Sequence, residues 1–521
     1  MKKVKILQAD QAVSLVKDGD TLVTCGFVGN CIPEALNKAM EKRFLETGSP
    51  RGLTLFYPGS QGDKSGVYGG DHYAHEGLLK RVVAGHYATA QKLQELCLSN
   101  KCEAYNLPQG VLSSLFREIA AHRPGIITHV GLDTFVDPRN GGGKINEKTK
   151  EDLVKVIEFE GEEKLLYKSF PLNVTFLRGT YADEYGNISL EKETTTTEVT
   201  SIAQAVKNCG GTVIVQVEKI VKAGYLDPRL VKIPGIYVDA VVLAGGKDHE
   251  QSIGKEFDGA LCGILQSPVE STASISPLNA KKIIARRAAI ELRKDTVVNL
   301  GVGLPEQIAV VAGEEGINEY MTLTVESGTI GGIPQAGSRF GASLNPDAIL
   351  DQPYQFDFYD GGGLDMAFLG LAECDEQGNI NVSKFGPKLA GCGGFINITQ
   401  NTGKVFFCGT FTAGRLKTKV KDGKLVIEQE GIKTKFVKQV EQITFSGKYA
   451  AKTGQRILYI TERCVFELRK DGLHLIEVAP GIDVQTQIVD LMEFTPKIDD
   501  SLKMMDARLF QEESMGLKTE K

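Results

Sequence analysis

The sequence predicts an α/β protein of two similar halves, each a mainly parallel sheet covered by helices, with the active site between them. Three observations carry this. The chain has 521 residues, more than one hydrophobic core usually serves. Strands rich in Val, Ile and Leu alternate with helical stretches, the pattern of parallel sheets buried on both faces. And the chain repeats itself in order.

The first repeated piece is "DGDTLVTCGFVGNCIPEAL" (18–36), matched by "RKDTVVNLGVGLPEQIA" (293–309). Each reads as a strand, a glycine-containing turn, and Pro-Glu opening a helix. The second is "GLTLFYPGS" (52–60), matched by "YMTLTVESG" (320–328). The third is "GTYADEYGNISL" (179–190), matched by "GLAECDEQGNINV" (370–382), each followed by a β-rich run, "GGTVIVQVEKI" and "TGKVFFCGTFT". Three matches in the same order predict a duplicated domain. The expected division is 1–260, a linker at 261–275 where Ser, Thr and Pro accumulate, and 276–521. Ser276 is the expected cap of a helix with Pro277 at its first position, followed by "LNAKKIIARRAAIELRK". The basic residues of that helix, Lys281, Lys282, Arg286 and Arg287, read as a solvated face. The last stretch, "SLKMMDARLFQEESMGLKTEK", reads as a polar-ended, frayed helix.

Bulk composition narrows the function. A net charge of −6 and a pI near 5.8 argue against a nucleic-acid partner. No run of about 20 apolar residues predicts a membrane span, and the amino terminus lacks the apolar core of a secretory signal. The ten cysteines are scattered without a C-x-x-C pair. They read as reduced, mostly buried thiols, so a cytoplasmic protein is expected, with neither disulfides nor a zinc site.

The strongest chemical candidate is Glu326 in "LTVESGTIGG" (323–332). It ends an apolar strand and precedes a glycine-rich turn. A carboxylate is ionised at neutral pH and acts as a nucleophile without a general base. That suits attack on an activated acyl group such as a thioester, in a site that excludes water and offers fixed N–H donors. The glycine stretches "NLGVGLP" (299–305), "GCGGF" (391–395) and "NLPQG" (106–110) are available for this. The matching position of the first half is Pro58, so one half is expected to be catalytic and the other supporting.

Weaker candidates are "DHYAH", with Asp71, His72 and His75, read as ordinary hydrogen-bonded side chains with no metal expected, and "NGGGK" (140–144), read as a mobile loop. The latter lacks the P-loop spacing, "GVGLPE" lacks the third Rossmann glycine, and no G-x-S-x-G elbow is present.

The motifs "ESGTIGGIPQAGSRFGASLNP" (326–346), "NLGVGLPEQIA" and "GCGGFINIT" resemble the second half of a family I CoA-transferase. "DGDTLVTCGFVGNCIPEAL", "EAYNLPQGVLSSLFREIA" and "GLDTFVDPRNGGGKIN" resemble its first half. The resemblance covers essentially the whole chain and is nearest to the propionate and acetate CoA-transferase branch. It departs at Cys25 and Cys31, where the family pattern has glycine. It implies CoA transfer between a short-chain acyl-CoA (acetyl, propionyl or butyryl) and a free carboxylate, ping-pong through an acyl-glutamyl anhydride and a glutamyl-CoA thioester. Glu326 is then the nucleophile, Gln109, Gly393 and Gly394 the oxyanion donors, and Gly301, Gly303 and Gly328 the CoA side. No permanent cofactor or metal is implied, since CoA is substrate and covalent intermediate. A homodimer or homotetramer is expected. An acyl-CoA hydrolase and a non-catalytic small-molecule sensor or scaffold on the same α/β unit are the competing readings.

Overall fold

The computed structural model describes residues 3–268 and 277–520. Ser276, and all of the expected linker beyond residue 268, lie outside them. The chain forms two compact units. The first comprises Met1–Ser267 together with two later returns, Val325–Asp357 and Gly386–Asn397; the second comprises Pro268–Thr324, Phe358–Phe385 and Ile398–Lys521. The units are therefore not simple chain-order halves, and Glu326 packs with the first.

In the first unit, strands β1 (Lys5–Leu7), β2 (Thr21–Thr24), β3 (Leu53–Tyr57), β4 (Leu79–Ala84), β5 (Glu103–Asn106), β6 (Val174–Asp183), β7 (Thr212–Val221) and β8 (Ala240–Leu243) line up as β1-β8-β7-β6-β2-β3-β4-β5. Every neighbouring pair along this path is parallel. A smaller antiparallel sheet of Gly125–Thr128, Val154–Phe159 and Glu162–Lys168 sits beside them in the chain. Parallel strands need crossovers, and these are helices such as α1 (Glu34–Thr47), α2 (Gln109–Ala120) and α3 (Val199–Asn208). Leu22, Leu36, Leu55, Val82, Phe176 and Ile214 meet in one core. Each such side chain contributes about 1.5–3 kcal/mol by leaving water.

The second unit repeats the plan. Its strands are β9 (Thr296–Leu300), β10 (Met321–Thr324), β11 (Met366–Gly370), β12 (Lys404–Cys408), β13 (Arg456–Ile460), β14 (Cys464–Arg469), β15 (Gly472–Val478) and β16 (Lys497–Met504), in the order β10-β9-β11-β12-β13-β14-β15-β16. The parallel run β10-β9-β11-β12-β13 corresponds strand for strand to β3-β2-β6-β7-β8. The repeats in the sequence are thus a repeated sheet. Pro33 and Pro305 each stand immediately before a helix, α1 in one unit and α5 (Glu306–Glu314) in the other.

Three expectations are overturned: a helix opening at Pro277, its solvated basic face, and a carboxyl-terminal helix. Helix α4 (Ala280–Ala289) is capped by Asn279, whose side chain accepts from the N–H groups of Lys281 and Lys282. Of its basic residues Lys281 is exposed as expected, but Lys282, Arg286 and Arg287 are buried. Lys282 pairs with Glu314 at 2.9 Å, Arg287 with Glu291 and Glu477, and Arg286 donates to the carbonyls of Arg508, Gln511 and Glu513. Buried cations require such partners. The carboxyl-terminal stretch is also not one helix. It forms edge strand β16, a 3-10 turn at Ala507–Phe510 and a short helix at Leu517–Glu520. Pairing with β15 and burial of Leu509 and Phe510 outweigh helix propensity there.

Candidate active site

β10 delivers the chain to a tight turn. The amide of Gly328 donates to the carbonyl of Val325 at 3.0 Å, and the amide of Val325 donates to Thr329 at 2.9 Å. Glu326 follows the first corner of this turn, half-buried. Only glycine fits at Gly328: its φ is +114°, and a Cβ there would lie 2.0 Å from the Leu350 carbonyl oxygen.

The turn is held from several sides within the first unit. Thr195 Oγ1 donates to the Ser327 carbonyl at 2.7 Å. The hydroxyl of Ser327 donates to the carbonyl of Gly341. Gln355 Nε2 donates to the Val325 carbonyl at 3.3 Å, and the amide of Leu350 to that of Gly328 at 2.8 Å. The glycine-rich loop of the first repeat joins this support. Asn30 Nδ2 donates to the Phe340 carbonyl at 2.8 Å, and Asn30 Oδ1 accepts from Thr194 and Ser252. Phe27 packs on Phe340 with ring centroids 5.8 Å apart. Cys31 carries a left-handed φ of 55°, a region that glycine enters most readily. Its carbonyl accepts from Cys25 Sγ at 3.2 Å, and both thiols are buried.

The second element is the amino terminus of α2. The Gln109 amide donates to the Gly393 carbonyl at 2.9 Å, and the Gly110 amide to Asn397 Oδ1 at 3.2 Å. The Gly393 amide donates to Gly85 at 2.8 Å, and Asn106 bridges Gly85 and the amide of Cys392. A Cβ on Gly393 would lie 3.6 Å from Gln109 Oε1, so this side chain lies beside Gly393. Among the described residues, Gln109 Nε2 is buried without a hydrogen-bond partner. Gly394 is buried in the turn that opens the helix Phe395–Asn401. Phe356 lies against Gly110, where a Cβ would meet it at 2.4 Å. Gln355, its neighbour, holds Val325. One short segment therefore links the Glu326 turn to the Gln109–Gly393 contact.

Gly301 and Gly303 lie in the second unit, after β9. The Gly301 amide donates to Phe368 at 2.8 Å, and Gly303 has a φ of +90° with open space around it. β9 runs parallel to β10 with Asn299 opposite Thr324, so Gly301 and Gly303 follow the carboxyl end of a parallel strand, the usual location of ligand sites in such folds.

The other candidates resolve differently. His72 bridges Glu34 at 2.8 Å and Glu41 at 2.5 Å, and His75 Nε2 meets Glu41 at 2.8 Å. Burial opposes charge on His72, but the Glu34 and Glu41 carboxylates outweigh it and raise the imidazole above its usual range. "NGGGK" is not a loose loop: the Gly143 carbonyl accepts from Asn106 and Lys144 pairs with Asp152. All ten cysteines are free, eight of them buried.

Sequence reasoning missed Asn30, Thr195, Glu198 and Gln355. For Thr195 and Glu198 the run "KETTTTEV" was the available signal; all four of its threonines are buried. Glu198 is buried against Ser113 Oγ at 3.3 Å. Burial drives its carboxyl up to about 8, with Asp351 adding and the Ser113 bond opposing.

A doubled parallel α/β sheet with one acid on a braced glycine turn is the class of protein these elements define. Its relatives are specific. The profile described as Coenzyme A transferase matches residues 6–244. A caffeate CoA-transferase of Acetobacterium woodii is 49% identical, with 99% of each chain aligned. Acetate CoA-transferase YdiF of Escherichia coli (strain K12) is 46% identical, over 99% of this chain and 96% of that one. The crystal structure of acyl-CoA transferase from E. coli O157:H7 (YdiF), a thioester complex with CoA, superposes with a TM-score of 0.92 at 45% identity, covering 99% of this chain and 97% of that one. The chain belongs to the coenzyme A transferase family, and it is a CoA-transferase.

Proposed function

We propose that the enzyme moves CoA between a short-chain acyl-CoA and a free short-chain carboxylate, with Glu326 as the covalent carrier. A Glu326 carboxylate oxygen attacks the thioester carbonyl carbon. The C–S bond breaks and CoA leaves as its thiolate, so an acyl-glutamyl anhydride forms. The thiolate then attacks the glutamyl carbonyl, releasing the first acid and leaving glutamyl-CoA. A second acid runs the same steps in reverse. No water is consumed and no proton need be stored, which is why an unassisted carboxylate suffices.

The observation that carries this reading is the placement of Glu326 at a turn pinned through Val325, Ser327 and Gly328, tied by Gln355–Phe356 to the Gln109–Gly393 contact. Gln109 Nε2, with Gly393 and Gly394, is assigned to the carbonyl oxygen that gains charge, the largest electrostatic contribution in such chemistry. Gly301, Gly303 and Gly328 are assigned to the CoA side. Binding energy of the distant nucleotide is then available to the transition state. CoA is substrate and intermediate; no resident metal or cofactor is assigned. Among the described residues no helix is long and apolar enough to cross a membrane. We place the enzyme in the cytoplasm as a homodimer or homotetramer.

Intact-protein mass spectrometry after mixing with acetyl-CoA or propionyl-CoA tests the reading. A CoA adduct on the Glu326 peptide, discharged by a second short-chain acid, supports it. Steady thioester loss to water without an adduct favours a hydrolase. A second acceptor class has its own support: the relative at 49% identity is a caffeate CoA-transferase. Discharge of the adduct by caffeate faster than by acetate or propionate would assign the aryl-acrylate acids.

A further inference from the structure

His86 lies at the carboxyl end of β4, between Gly85 and Tyr87, and no role has been given to it. Its backbone is clamped. The Gly85 amide donates to Pro58 at 3.1 Å, the Gly85 carbonyl accepts from Gly393, and the Tyr87 amide donates to Ala390 at 2.7 Å. The imidazole is thereby laid along the 390–393 loop: a Cβ on Gly393 would meet its Cδ2 at 3.3 Å, and one on Gly391 would meet its Cα at 3.0 Å. The Gln109 side chain approaches the same face of Gly393. The ring is half-buried, and it engages no hydrogen bond among the described residues.

Its charge state is settled by its surroundings. Burial, with the Lys64 ammonium adding to it, pushes the imidazole down to about 4. Lys64 is the charged group facing it; the 390–393 loop contributes Cys392, whose thiol burial raises far above neutrality, and Asn106 and Gln109 do not ionise. The ring is neutral at physiological pH, with one N–H to give. An imidazolium here would pair with a carboxylate nucleophile or acceptor and dull it. A neutral ring donates to a developing oxyanion without that cost.

We propose that His86 is a further substrate-contacting residue of this transferase, donating a ring N–H, alongside Gln109, to the acyl carbonyl oxygen in both half-reactions. This rests on the Glu326 pathway proposed above. In the first half-reaction the acceptor of that hydrogen bond is the thioester oxygen as C–S breaks. In the second it is the corresponding oxygen of the anhydride formed by the incoming acid. His86 supplies no proton to the products, so the balance of the steps is unchanged.

The test follows formation and discharge of the CoA adduct by quenched-flow mass spectrometry in the full-length wild type, His86→Leu and His86→Gln. His86→Leu should slow both half-reactions by about 10²-fold, the scale of one lost oxyanion donor, while KM for acetyl-CoA and the melting temperature stay near wild type. His86→Gln, which keeps an N–H donor, should recover part of the rate. Should His86→Leu fail to fold, His86→Phe keeps a ring of similar shape and carries the same comparison. Wild-type rates in the apolar variant, or equal losses in the apolar and Gln variants, would overturn the proposal and leave the Glu326 pathway standing. Absence of any adduct in the wild type would overturn both.

Discussion

Thr195 Oγ1 donates to the carbonyl of Ser327 at 2.7 Å, across 132 residues of chain. Ser327 follows Glu326, so this buried hydroxyl fixes the peptide next to the acid. Thr195→Val keeps the shape and removes the donor, leaving a buried carbonyl unsatisfied at a cost of about 1–3 kcal/mol. We expect a lower melting temperature and about a tenfold fall in kcat, with Thr195→Ser near wild type; steady-state kinetics and thermal melts check it.

Glu326→Ala should abolish CoA exchange between two acids while leaving the fold intact, because the side chain is half-buried on a turn held by its neighbours. Circular dichroism with an exchange assay decides this. Residual exchange above about one part in 10³ would point to another nucleophile.

Gly328→Ala should destabilise more than ordinary helix or loop substitutions do. Both its φ of +114° and the Leu350 carbonyl 2.0 Å from the new Cβ oppose the change. We expect a loss of more than about 2 kcal/mol in urea unfolding, combining left-handed strain with displacement of backbone.

Glu198 gives a pH signature. In the folded state its carboxyl keeps its proton up to about 8, whereas the ordinary value is 4.5. Between those values the folded state binds the extra proton, so this residue makes stability fall as pH rises, by up to about 1.4 kcal/mol per pH unit, levelling above 8. Glu198→Gln removes the slope. Its melting temperature should exceed wild type by a margin that grows from pH 5.5 to pH 8.

Arg286 is a structural cation. Its guanidinium donates to the carbonyls of Arg508, Gln511 and Glu513, so Arg286→Met should loosen the carboxyl-terminal segment. Hydrogen exchange should rise across 507–517, with the specific activity of folded enzyme preserved.

Much of the fold was legible. The pairs 18–36 with 293–309 and 52–60 with 320–328 became β2 with β9 and β3 with β10, because apolar runs and Pro-Glu helix starts are local signals. The reading failed where distant partners decide. Lys282, Arg286 and Arg287 look like a wet face until Glu314, Glu477 and the carbonyls near 511 enclose them. The stretch from 501 looked helical until β15 offered it an edge.

Glu326 stood out by itself, as an acid between an apolar strand and a glycine turn, and so did the glycines at 301, 303, 393 and 394. Those features are consequences of neighbouring residues, which a sequence displays directly. That Thr195, Gln355 and Asn30 brace the Glu326 turn, that Gln109 meets Gly393, and that His86 lies neutral beside them was decided only in the folded chain. These contacts join segments tens to hundreds of residues apart, and their energetics depend on burial, which no local pattern records.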